Sequence, residues 1–62
     1  MIDIRELRIQ KGLTQEQLAK SIGVERSVIA KIETDKNYNA SVETAKGLGK
    51  VLEFEWSELF EY

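Results

Sequence analysis

LRIQKGLTQEQLAKSIGV, residues 7–24, is the stretch whose reading decides the fold. Alternation with a strand's period is scarce in it, while apolar side chains recur at three- and four-residue intervals, the period of a helix with one buried face. Thr14 is a good N-cap, and Gln17 stands three residues later, the spacing of a capping box. Leu18, Ala19 and Ile22 then form an inner stripe, and Gly23 supplies the left-handed residue that ends the helix.

The same period continues on both sides. Upstream, a helix over about 3–11 is expected, with Asp3 as its cap, Ile4 and Leu7 on one face, and Gly12 as its stop. Downstream, the link Ile22-Gly23-Val24-Glu25 is too short for two helices to lie antiparallel. A third helix, about 25–33 with Ile29 and Ile32 inward, must therefore cross the second steeply, which makes a helix-turn-helix unit. Residues 34–40 read as a polar loop, and Ser41 as the cap of a fourth helix over 42–52. Val42, Ala45, Leu48 and Leu52 share its inner stripe. Gly47 and Gly49 each cost about 1 kcal/mol there relative to Ala, and they read as points where another element comes close. A short last helix over about 55–60 buries Leu59 and either Trp56 or Phe60, with Phe54 packing from the connection. The expectation is an all-α, five-helix fold forming one domain over residues 1–62.

Composition excludes more than it assigns. The 62 residues include no Cys and no His, which removes disulfides, thiol chemistry, the usual zinc ligand sets and histidine acid–base catalysis. No metal and no cofactor are expected, and an enzyme is disfavoured. With no Cys, a reducing cytoplasm is the expected home. Because the longest apolar run, Val28–Ala30, is too short to cross a bilayer, no membrane partner is expected. Charge is uneven. Residues 1–52 carry nine basic against seven acidic side chains, while 53–62 carry four glutamates and no base. The net −2 therefore says less about partners than the field on one face does.

Four blocks stand in one register: Arg8 with Gly12-Leu13-Thr14-Gln15, then Leu18-Ala19, then Ile22-Gly23-Val24, then Ile29 with Ile32-Glu33. Together they resemble the phage repressor and Cro type of helix-turn-helix protein, the Xre family, over nearly the whole chain. The resemblance implies a compact lambda-repressor-like domain that binds double-stranded DNA sequence-specifically as a transcriptional regulator, a repressor by expectation. The third helix would lie in the major groove. The resemblance further implies phosphate contacts from Gln15 and from the loop residues Lys36, Asn37 and Asn39, and a partly buried ion pair between Arg8 and Glu33.

The face of the third helix agrees with this without the resemblance. At about 100° per residue, Ile32 falls within roughly 60° of Ile29, while Ser27 and Lys31 point to the opposite side. Thr34 lies near them, Arg26 on the flank and Val28 sideways. Cations approach phosphates or guanine O6 and N7, small polar groups reach base edges, and a methyl can meet the thymine methyl. Arg26, Ser27, Val28 and Lys31 are thus the expected base contacts, with Thr34 grouped among the phosphate contacts.

Three positions depart from the family pattern: Asp35 and Glu53 stand where glycine is common, and Ala40 where proline is frequent. A single module reads few base pairs, so a dimer on two half-sites about 34 Å apart is the usual solution. Residues 53–62, holding Phe54, Trp56, Phe60 and Tyr62, are the candidate surface for it. No small-molecule ligand is expected. The competing reading is a protein-binding module, antitoxin-like or adaptor, that keeps the fold without affinity for DNA; Asp35 and the net negative charge favour it, and the polar third helix opposes it.

Overall fold

A computed structural model of the chain describes residues 2–35 and 37–60; Met1, Lys36, Glu61 and Tyr62 lie outside them. The described residues form four α-helices, α1 (Ile4–Gln10), α2 (Gln15–Ile22), α3 (Arg26–Thr34) and α4 (Val42–Leu52), then a 310 segment, Trp56–Phe60. The caps explain the starts. Asp3 accepts the Glu6 N–H at 3.1 Å, and Ser41 accepts that of Thr44 at 3.1 Å. At α2 both halves of the capping box are made: the Gln17 N–H donates to Thr14 Oγ1 at 3.0 Å, and the Thr14 N–H donates to Gln17 Oε1 at 2.9 Å. Each such cap is worth about 1 kcal/mol.

The turn between α2 and α3 is short because Gly23 takes φ 77°, in the left-handed region. The Val24 N–H then reaches back to the Ala19 carbonyl at 3.0 Å, closing the end of α2. That reversal packs α2 on α3; α2 also packs on α4, and α1 meets α3. Leu18, Ile29 and Leu48, one from each of three helices, are fully buried, and Ile4, Ala19 and Leu52 complete the centre. The two α4 glycines lie at close approaches, as their cost in helix propensity suggested. A Cβ on Gly47 would sit 3.1 Å from the Ile22 side chain, and one on Gly49 would sit 2.7 Å from the Phe54 carbonyl oxygen.

The structure corrects the expected pattern in three places. Val42 is 50% exposed, not part of the inner stripe. It opens α4 and lies roughly 85° around the helix from the centre of the Ala45, Leu48 and Leu52 stripe. Thr34 ends α3 and does not begin the loop. The fifth element is a 310 segment without a buried residue. Before it, Glu53, the one described non-glycine residue at positive φ (61°), caps α4, and the Phe54 N–H bonds the Gly49 carbonyl at 3.0 Å. Phe54 and Leu59 pack partly buried against the core, while Trp56 and Phe60 meet edge to face with centroids 6.1 Å apart. Neither of the last two is buried outright.

Candidate nucleic-acid interface

α3 carries a sharp division. Ile29 is buried and Val28 and Ile32 are half-buried, whereas Arg26, Ser27, Lys31 and Thr34 are exposed. The one carboxylate within the helix, Glu33, has a side chain only 1% exposed. Arg8 of α1 holds it with two bonds, Nε to Oε2 at 2.7 Å and Nη2 to Oε1 at 3.1 Å. The third edge of that guanidinium donates to the Leu13 carbonyl at 2.8 Å, tying the α1–α2 connection to the end of α3. Hydrogen bonding to Glu33 raises the Arg8 pKa further above its ordinary value, with desolvation working against it. Arg8 and Glu33 are therefore architecture, and the pair takes a negative charge away from the outward face of α3. Glu25, at the N-cap, is exposed and makes no side-chain capping bond, so one carboxylate stands at the start of α3.

A polar chain runs from this pair to the other end of α3. Gln15 Nε2 donates to Glu33 Oε1 at 3.1 Å, and Gln15 Oε1 accepts from Arg26 Nη1 at 3.2 Å. The Gly23 turn sets the first residues of α2 and α3 side by side, which brings the expected phosphate contact Gln15 against the expected base contact Arg26. The bond to Glu33 also decides which way the amide faces: its nitrogen points inward, so its oxygen meets the guanidinium. No sequence spacing signals this contact, because it depends on how steeply two helices cross.

The far end of α3 is organised differently. Asp35 is extended (φ −104°), so the position needs no glycine, and its Oδ1 accepts the Asn37 N–H at 2.9 Å. The Tyr38 N–H donates to the Asp35 carbonyl at 3.1 Å, and Lys31 Nζ lies 5.9 Å from the Tyr38 ring centroid. Asn37 and Asn39 are exposed on the same loop. Thr34 is exposed, but its hydroxyl donates to the Ala30 carbonyl at 2.8 Å. In that state it offers a phosphate only lone pairs, so a contact requires the hydroxyl to leave Ala30. Lys36, expected among the phosphate contacts, lies outside the described residues. A lone aromatic residue in a polar loop, such as Tyr38, carries no directional signal in the sequence.

Among the described residues there is no group of His, Cys, Asp and Glu that could hold a metal ion, and no helix long and apolar enough to cross a membrane. Two packed helices joined by the tight Gly23 turn, the second with Arg26 and Lys31 exposed and Glu33 buried, make a helix-turn-helix unit. The helix-turn-helix family model matches residues 4–59, and the chain belongs to that family, of the Cro/C1 type. It is 42% identical over 57 residues to an uncharacterized HTH-type transcriptional regulator of Archaeoglobus fulgidus, covering 92% of this chain and 80% of that one. It is 41% identical over 58 residues to the HTH-type transcriptional regulator SlrR of Bacillus subtilis, covering 94% of this chain but only 38% of SlrR. A third relative, the uncharacterized HTH-type transcriptional regulator YqaF of Bacillus subtilis, is 34% identical over 94% of this chain and 75% of its own length.

Proposed function

We propose that this chain binds double-stranded DNA sequence-specifically as a transcriptional repressor, with α3 in the major groove. The observation that carries the reading is the composition of the exposed side of α3: Arg26, Ser27 and Lys31 face solvent while Glu33 is withdrawn into its pair with Arg8. Arg26, Ser27, Val28 and Lys31 are the base-reading set. Gln15, Thr34, Lys36, Asn37 and Asn39 hold the phosphates on either side. The relatives, described as transcriptional regulators, support the same class of function.

The active form is a dimer on two half-sites about one helical turn apart. Its surface lies within residues 53–62, where Trp56 and Phe60 remain half-exposed. A salt titration with a selected duplex tests the reading. Cations brought against phosphates release counterions, so affinity should fall steeply and linearly in log–log form as salt rises. Replacing Arg26 and Lys31 together with Ala should abolish preference for the selected sequence while helicity is kept. Binding that is indifferent to salt, or full affinity in the double variant, would instead favour a protein-binding module.

A further inference from the structure

We propose that Tyr38 is a positioning residue that sets where Lys31 reaches on DNA, a role that rests on the DNA-binding reading of α3. Lysine is a compact charge on a flexible stem, so an unbraced ammonium samples many positions before it meets a base edge. Here the ammonium lies 5.9 Å from the Tyr38 ring centroid, within the range of a cation–π contact. The ring does not belong to α3. It is delivered by a turn made of two bonds: the Asn37 N–H to Asp35 Oδ1 at 2.9 Å and the Tyr38 N–H to the Asp35 carbonyl at 3.1 Å.

Tyr38 is half-buried whereas Lys31 is exposed, so the ring is less free than the lysine it faces. Arg26 and Lys31, the two cations of the reading face, are thus each engaged by a neighbour outside α3: Gln15 for the first and Tyr38 for the second. The consequence of Asp35 follows from this. With Asp35 extended in place of a left-handed glycine, the backbone leaves α3 along a path that carries Tyr38 under Lys31.

Two readouts test the proposal, one of them without DNA. In the free chain, the Lys31 ε-methylene protons should resonate upfield of those of Lys20 and Lys50 through the ring current, as should those of Lys46, whose Nζ lies 5.3 Å from the Trp56 ring centroid. Tyr38→Phe should keep that shift, while Tyr38→Leu and Tyr38→Met should abolish it. Lys31 resonating with Lys20 and Lys50 in the unmodified chain would overturn the proposal whatever the protein binds. The second readout uses the duplex that the unmodified chain selects from a random library. Tyr38→Leu should weaken binding about two- to fivefold, the worth of an exposed cation–π contact, and relax preference at the base pair that Lys31→Ala also relaxes. Tyr38→Phe should bind as the unmodified chain does, and Tyr38→Leu should add nothing once Lys31 is Ala. A Tyr38→Leu loss that persists undiminished beside Lys31→Ala, or an equal loss in Tyr38→Phe, would overturn it. Failure of the unmodified chain to select any duplex, with the proton shift present, would remove the DNA reading and leave only the bracing contact.

Discussion

Replacing Arg8 with Ala should cost the protein about 3 kcal/mol of stability. The Glu33 side chain is 1% exposed and takes two bonds from the guanidinium, while the Leu13 carbonyl takes a third. Stranding one member of a buried pair costs about 3–5 kcal/mol. The lower figure applies because the Arg8 side chain is 11% exposed, so its removal opens a path for water to Glu33. A domain of this length has only roughly 3–9 kcal/mol of stability in total. Arg8→Ala should therefore unfold in far less urea than the unmodified protein, with a largely unfolded population at the weaker end of that range. Urea titration followed by circular dichroism measures this directly. Replacing both partners by apolar residues of similar volume, Arg8→Met with Glu33→Leu, should recover most of the loss, since no charge is then left buried without a partner. A loss below 1 kcal/mol in Arg8→Ala, or a double replacement worse than the single one, would refute the view that the pair's importance lies in mutual neutralisation. The pair should also survive alkaline conditions. The raised Arg8 pKa keeps its contribution fully present below the unfolded value and lost only above the folded one. Because the unfolded value already exceeds the working range, stability measured from neutral pH upward should show no loss traceable to Arg8.

Gly49→Ala should destabilise by about 1–2 kcal/mol, because the new Cβ would meet the Phe54 backbone oxygen at 2.7 Å and the clash outweighs the roughly 1 kcal/mol gained in helix propensity. Gly47→Ala should be nearly neutral by the same melting experiment, since the Ile22 side chain at 3.1 Å need give way only slightly. Glu53→Gly should raise the melting temperature, gaining about 0.5–1 kcal/mol by relieving the left-handed backbone at φ 61°. The exposed Lys11–Glu53 ion pair that this change removes is worth little against that gain. Gln15→Ala should lower stability by about 1–2 kcal/mol, because it removes a hydrogen bond to the buried Glu33 carboxylate. The folded variant should bind the selected duplex more weakly, because it lacks the proposed phosphate ligand and leaves the Arg26 guanidinium unbraced. Gel shifts with duplexes altered at the base pair that Arg26 reads would show whether preference there relaxes as well.

The helices were legible because their punctuation is local. Asp3, Thr14 with Gln17, Ser41, Gly12 and Gly23 each act within a few residues, and each does in the structure what its residue type implies. The exposure of Arg26, Ser27 and Lys31 was legible for the same reason, since it follows from helical period around a buried Ile29. The Arg8–Glu33 pair was within reach only through the resemblance, because nothing local links residues 25 positions apart. What escaped was tertiary in origin. Val42 fits the apolar spacing of α4 but sits at the helix end and at the edge of the stripe. The last element is a 310 segment and not an α-helix, a difference that its apolar spacing does not signal. The contacts of Gln15 with Arg26 and of Lys31 with Tyr38 join segments whose meeting depends on helix crossing and loop path. Local pattern thus set the scaffold and its exposed face, and the bracing of that face came from the packing.

Selection from a random duplex library, carried out in parallel with the unmodified chain and with Arg26→Ala/Lys31→Ala, addresses the orientation of α3 most directly. The unmodified chain should enrich one consensus with two-fold symmetry, its halves about one helical turn apart, and the folded double variant should enrich none. The same consensus emerging from both proteins would mean that another surface reads the sequence, and no consensus from the unmodified chain would mean that α3 does not read DNA.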